Sequence, residues 1–404
     1  MKKFIYLCCL FMLNLNMMAQ IDLTQGWSLV LDEQFTGVGR AWDSTYLEKR
    51  PSGIPANSYW KCLWRVDLPG SNDGVTKEPY HHAYQRSNTL FNSELLNDNK
   101  IRLVAEHISY DTLACDGNRP TGYEIPKGTW HHCDTTKKGI HYYSGNIQSI
   151  DQSYEFGFYE IECALPIHKG IHTSFWLFGG HEDIVTGVKY YEEIDIMEYS
   201  KIDWDEDSLR GYSSGIWYIK QPISDTLFPN HHGYKNFHMN DSEPNISYMH
   251  TYGCEWMPNH VIFYRDGKVT HELHDATFIP KYPKYIKTGY AINETALSEP
   301  IWLGPDTLTI NYIKVYKLNT DCNTDEYVQS AYQLNQINSM KRSVTISNSS
   351  GLTLPSNTNK TIRASDYILI NGPFEIDSGA QLTLMVHECP NYTNNYSNTN
   401  ISNP

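Results

Sequence analysis

The chain has 404 residues and a formal charge of −14. That charge argues against nucleic acid or an anionic membrane surface as partner and makes a strongly anionic polymer a less comfortable one. The length accommodates one large domain plus a small one, and ten Trp with thirty Tyr supply aromatic rings for a β-rich core or for stacking on a ligand.

The N-terminus reads as a secretory signal. Lys2 and Lys3 precede an apolar run at 4–13 that is too short to span a bilayer, and Ala19 precedes a plausible cut before Gln20. Residues 1–19 are therefore expected to be a signal peptide, with the mature chain exported to the periplasm, the cell surface or the exterior. No other stretch approaches the length of a membrane span. Seven cysteines follow the signal: Cys62, Cys115, Cys133, Cys163, Cys254, Cys322 and Cys389. In an oxidising compartment an odd number leaves at least one free or paired between chains. Cys115 and Cys133, on either side of one polar loop, are the candidate pair. No spacing of Cys and His fits zinc.

Strand-like alternation begins at 27–35. Residues 36–84 are rich in Gly, Pro, Trp and Tyr with little periodicity, which is long for a structureless loop and points to function. The pair His81 and His82 falls there. Residues 100–106 alternate as a strand, 107–141 form a second polar excursion, and 154–165 alternate again. An apolar strand at 172–178 ends at Gly179 and Gly180. Residues 200–250 read as irregular and polar. Strands at 250–256 and 261–264 turn through Asp266-Gly267, a hairpin signal, and 308–316 closes the series. Evenly spaced strands with few helical periods predict an antiparallel sandwich of jelly-roll type over 20–318. Composition then shifts: 319–360, rich in Asn, Ser, Thr and Gln, reads as a linker and the start of an appendage. Residues 361–390 read as a small β module and 391–404 as a disordered tail.

Residues 190–199 organise the rest. Glu193, Asp195 and Glu198 alternate with Ile194, Ile196 and Met197. In a strand Glu193 and Asp195 share a face, but Glu198 is an odd number of steps away. A regular strand would bury it in the core, where an unpaired carboxylate is very costly. A β-bulge at Ile196–Met197 restores the parity and brings all three acids to one groove. Two carboxylates facing one groove suit glycosidic-bond cleavage: one attacks the anomeric carbon, and the other protonates the leaving oxygen and then activates water. Retention of configuration needs the carboxyl groups about 5–5.5 Å apart. Asp195 can hydrogen-bond the nucleophile, and its charge helps keep the acid/base protonated. The bland alternative for such a pattern is a wet strand face or a calcium site.

These residues resemble the ExDxxE signature of glycoside hydrolase family 16 in its bulged form. The flanks are similar too: 27–35, 143–147, 156–162, Leu165-Pro166, 174–177, 252–256, 263–268 and 310–316 match the family's strands in order, over about residues 25–318. The resemblance implies a concanavalin-like β-jelly-roll sandwich and endo-acting, retaining hydrolysis of β-linkages in a polysaccharide, with no cofactor required. Glu193 would be the nucleophile, Asp195 its assistant and Glu198 the acid/base. Trp176 stands where the family keeps an aromatic residue near the cleft. Trp217 and Tyr199 are further candidates for the groove, whereas Trp27 and Trp256 read as core. The bulged form is that of β-1,3-glucanases, agarases, carrageenases and related galactanases.

Two departures bear on substrate and metal. β-1,3-glucanases of the family usually carry a Gly-Trp-Gly-Asn-x-Glu-x-Gln stretch. Here Gln85 falls on its Gln and His82 on its binding Asn, with no Gly-Trp-Gly before it. The expectation is therefore a β-galactoside-containing chain, such as a marine galactan or mucin-type poly-N-acetyllactosamine, ahead of a β-1,3(4)-glucan. A lectin-like binding protein and a transglycosylase on the same sandwich are the alternatives. Some members hold a structural calcium near the first and last strands; Asn311 stands where an Asp ligand is common.

Overall fold

The computed structural model describes residues 21–34, 60–62, 89–91, 100–107, 142–143, 146–149, 154–166, 171–182, 189–200, 211–221, 231–238, 245–275, 278–292 and 306–390. The expected signal peptide, the Cys115 and Cys133 pair, His82 and the tail lie outside them.

The first part of the chain forms strands β1 (Trp27–Glu33), β2 (Trp60–Cys62), β3 (Thr89–Phe91), β4 (Ile101–His107), β5 (Tyr142–Tyr143) and β6 (Asn146–Ser149). Then come β7 (Gly157–Ala164), β8 (Ile171–Glu182), β9 (Lys189–Ser200), β10 (Tyr212–Gln221) and β11 (His231–His238). The series continues with β12 (His250–Met257), β13 (His260–Arg265), β14 (Lys268–Leu273), β15 (Tyr285–Ile292) and β16 (Asp306–Leu318). They build two antiparallel sheets. One has the order β14-β13-β12-β7-β16-β4-β3, with β1 also on β16 and β5 on β4; the other runs β11-β10-β9-β8-β15-β6-β2. This is the sandwich the strand spacing predicts. The stretch 200–250 departs from expectation. Its polar residues hide two strands, β10 and β11, that extend the second sheet beyond β9.

Between the sheets, Phe175, Leu177, Ile194 and Ile216 meet Ile161, Cys254, Trp256, Ile313 and Val315. Trp256 is fully buried and donates its indole N–H to the Pro280 carbonyl at 2.8 Å. At the β13–β14 turn Asp266 and Gly267 both take positive φ, 50° and 72°, as a two-residue hairpin with the right-handed twist of its strands requires.

The C-terminal module begins earlier than composition suggested. Strand β17 (Thr320–Val328) starts directly after the sandwich, followed by the short helix α1 (Ala331–Gln336), β18 (Met340–Ser347), β19 (Leu352–Leu354), β20 (Asn359–Asn371), β21 (Phe374–Ile376) and β22 (Gln381–Val386). Thus 319–360 is not a linker. All the module's pairings are parallel, β17-β18-β20-β22 and β19-β21. Such a solenoid-like stack needs only a few inward apolar positions per turn, here Val344, Ile346, Leu352, Leu354 and Ile362, so a sequence rich in Ser, Thr and Asn suffices. A disulfide joins Cys322 to Cys389, while Cys163 and Cys254 are buried free thiols.

The module sits on the outer face of the β7–β16 sheet. Trp27, Phe158, Met257, Ile262 and Tyr264 pack there with Leu318, Met340 and Met385. Inside this contact Glu255 is fully buried. Arg363 reaches it at 3.0 Å and His260 at 3.1 Å. Lys360 donates to the Gln25 side chain and to the carbonyls of Asn335 and Ile337. Covered on both faces, β12 and β13 are buried along nearly their whole length, which fits the apolar run Val261–Tyr264 of β13.

Candidate active site

Strand β8 alternates cleanly. Ile171, Thr173, Phe175 and Leu177 are buried, while His172, Ser174, Trp176 and Phe178 are partly exposed on the other face. Strand β9 pairs with it in register Phe178↔Glu193, Trp176↔Asp195 and Ser174↔Glu198. Every acid is therefore opposite a residue of the outer face. The register shifts between Phe175 and Trp176 on β8, and between Ser213 and Gly215 on β10. Ile196 and Met197 together oppose Ser214, and both are buried in the core. The extra residue is where the sequence required it, and the bulge turns Glu198 outward.

The result is three cross-strand rows. Ser174, Glu198 and Ser213 form one, Trp176, Asp195 and Gly215 the next, and Phe178, Glu193 and Trp217 the third. Gly215 contributes no side chain to the middle row beside Asp195. Strand β15 extends the rows with Gly289, Lys287 and Tyr285. Lys287 is nearly buried and holds its Nζ 4.5 Å from the centre of the Trp176 ring and 4.6 Å from that of Phe178. Phe178 also stacks on Tyr191, centroids 6.1 Å apart.

Glu198 has a partner at each carboxyl oxygen. His172 Nε2 is 3.3 Å from Oε1, and Ser213 Oγ is 3.3 Å from Oε2 and 3.2 Å from the Glu198 carbonyl oxygen. Asp195 is 4% exposed. The neighbouring Glu192 faces the opposite way, into a buried ion pair with Lys284.

Of the residues singled out from the sequence, Glu193, Asp195, Glu198, Trp176 and Trp217 share this face. Tyr199 does not: it is 2% exposed and belongs to the core between the sheets. The reason is alternation itself, because consecutive residues point to opposite faces and Glu198 and Tyr199 cannot both line the groove. Sequence reasoning passed over His172, Ser213, Phe178, Tyr191 and Lys287. The first and fourth were within reach: His172 is four residues before Trp176, and Tyr191 two before Glu193, each an even step.

Near the first and last strands Asn311 points its amide nitrogen at Glu162. That contact occupies a carboxylate oxygen with a donor instead of a cation. Among the described residues no group of three or more His, Cys, Asp or Glu could hold a metal ion.

Residues 120–313 match the family model described as glycosyl hydrolases family 16. A beta-glucanase of Bacillus amyloliquefaciens is 24% identical over 250 residues, covering 62% of this chain and 78% of that protein. A beta-glucanase of Bacillus licheniformis is 29% identical over 229 residues, covering 57% and 69%. Among solved structures, porphyranase B from Zobellia galactanivorans superposes with a TM-score of 0.47 at 14% identity, covering 75% of this chain and 97% of that one.

Proposed function

We propose that the chain is a glycoside hydrolase of family 16, whose model matches residues 120–313, and that it cleaves internal β-linkages of a glycan chain with retention, through Glu193 as nucleophile, Glu198 as acid/base and Asp195 as assistant. The observation carrying this reading is the bulge at Ile196–Met197, which brings three carboxylates onto one face of β9. Glu193 attacks the anomeric carbon as Glu198 gives its proton to the leaving oxygen. Glu198 then takes a proton from the water that releases the sugar. Asp195, between them, hydrogen-bonds the nucleophile. Trp217 beside Glu193 and Trp176 beside Asp195 offer ring faces to the pyranoses.

For substrate we favour a β-galactoside-containing chain, supported by the missing Gly-Trp-Gly and by His82 at the position of the glucan-binding Asn. A β-1,3(4)-glucan is the second reading, favoured by the names of the two Bacillus relatives. The charged and apolar N-terminal segment supports export of the enzyme to where such polymers are met.

The test is Glu193→Gln on a panel of β-glucans, marine galactans and mucin glycans. New reducing ends should fall by about a thousandfold or more, with oligosaccharide binding and the unfolding midpoint kept. A fully active variant overturns the mechanism. Binding by the native protein without new reducing ends points to a lectin, and products longer than the starting acceptor to a transglycosylase.

A further inference from the structure

We propose that His172 is a positioning residue for Glu198, the imidazole and the carboxyl sharing one proton across their contact. The inference rests on Glu198 being the acid/base. His172 stands opposite Ser200 on β9, so Glu198 is its diagonal neighbour, within reach of a long side chain. The contact is Nε2 to Oε1 at 3.3 Å, with only 15% and 17% of the two side chains exposed. The other oxygen, Oε2, meets the hydroxyl of Ser213. The two partners differ in kind. A serine hydroxyl can donate a hydrogen bond but cannot hold an extra proton. An imidazole can accept from a carboxylic acid, or, once protonated, donate to a carboxylate, from the same position.

That matters because Glu198 must be acid in the first step and base in the second. In the first, the proton sits on Oε1 and Nε2 accepts it as a hydrogen bond. When that proton has gone to the leaving oxygen, neither Oε1 nor Nε2 holds one until Glu198 takes a proton from the water that releases the sugar, and the pair then shares that proton again. Among the described residues, the charged groups facing the pair lie on β9 and β15. Glu193 and Asp195 on β9 share its face, and both favour keeping a proton on the pair. Ser174 and Trp176 on β8, and Ser213 and Trp217 on β10, are neutral. Lys287 on β15 opposes them from behind the Trp176 ring. A coupled pair loses its last proton at a pH at least as high as that of either member alone. His172 therefore extends the alkaline side of the activity profile beyond what Glu198 would reach unaided.

The test is kcat/KM against pH for the native enzyme, His172→Gln and Ser213→Ala on the polysaccharide that the native enzyme cleaves. His172→Gln should move the alkaline limb to lower pH by about one unit and leave the acid limb in place. Ser213→Ala removes a donor to the carboxylate and should lower the rate without moving the alkaline limb to lower pH. On an aryl glycoside with a good leaving group, whose first step needs no proton, the His172→Gln effect on that step should vanish. An unmoved alkaline limb in His172→Gln, or the same movement in Ser213→Ala, overturns the proposal. If His172→Gln fails to fold, His172→Asn takes its place with the same criteria. An active Glu193→Gln enzyme would sink the mechanism itself, whereas an inactive one beside an unmoved limb sinks this inference alone.

Discussion

Lys284 Nζ lies 2.7 Å from Glu192 Oε2, both side chains almost wholly out of solvent. The same oxygen accepts from the backbone N–H groups of Lys281 and Tyr282 at 2.9 and 3.0 Å. Glu192 and Glu193 are thus chemically identical neighbours with unrelated work. One is fixed on the inner face and ties β9 to the segment before β15, and the other lies on the outer face with Asp195 and Glu198. Burial pulls the lysine ammonium below its ordinary range while Glu192 pushes back, so removing either partner strands a charge. Lys284→Met should lower unfolding free energy by about 3–5 kcal/mol. Urea denaturation measures this, and activity per folded molecule should stay near native. A variant of native stability would mean that the pair contributes nothing net.

Glu198→Ala is expected to cut polysaccharide hydrolysis by about 10²–10⁴-fold. Its first step should recover on aryl glycosides that leave without protonation, and an added small anion such as azide should then accelerate turnover by replacing the water. Pre-steady-state release of the aryl group measures the rescue. Equal losses on poor and good leaving groups would remove Glu198 from the acid/base role.

Trp217→Ala should raise KM by up to about tenfold, with kcat less affected, because a ring beside the proposed nucleophile Glu193 acts chiefly by stacking. Initial rates over a substrate series show the split. An unchanged KM would place the ring outside the path of the polymer.

Acid should loosen the C-terminal module. Burial would raise Glu255, but Arg363 and the hydrogen bond with His260 outweigh it and hold the carboxyl at about 2. Burial, with His260 beside it, pushes His387 down to about 4. Both folded groups take up protons less readily than their unfolded forms. The His387 contribution is complete above about pH 6.5 and declines toward pH 4; that of Glu255 is complete above about 4.5 and declines toward 2. Unfolding followed at pH 7.5, 5.5 and 4 should show a falling midpoint, with the upper part of the fall absent in His387→Asn. Arg363→Ala leaves the Glu255 charge uncompensated and should cost about 3–5 kcal/mol at neutral pH. A midpoint independent of pH would contradict this account.

The sandwich was legible because its inner faces obey a period of two, as β8 does with Phe175 and Leu177 inward and Trp176 and Phe178 outward. The bulge was legible for a harsher reason: without it Glu198 would be a bare charge among Ile194, Met197 and Phe175. What stayed hidden lacked either signal. Strands β10 and β11 hold Ser, Gly, His and Lys in their sequences, so no clean apolar period of two marks them. The module's turns ask for so few apolar residues that β17 and β18 read as linker. The Cys322–Cys389 bridge joins residues 67 apart in sequence, a pairing that depends on how the solenoid stacks and not on local spacing. His172 was passed over because its meaning lies across the sheet, in a carboxylate on the next strand.

The kink in β9 also acts as a spacer. Three acids could reach one face with one residue fewer, since Glu-x-Asp-x-Glu alternates without interruption. Removing Ile196 would therefore keep all three carboxylates outward, yet draw the last of them toward Asp195 and away from His172 and Ser213. The inserted residue sets the reach between the groups as well as the side from which they emerge, so the length of this segment is as much a part of the chemistry as the identity of its acids.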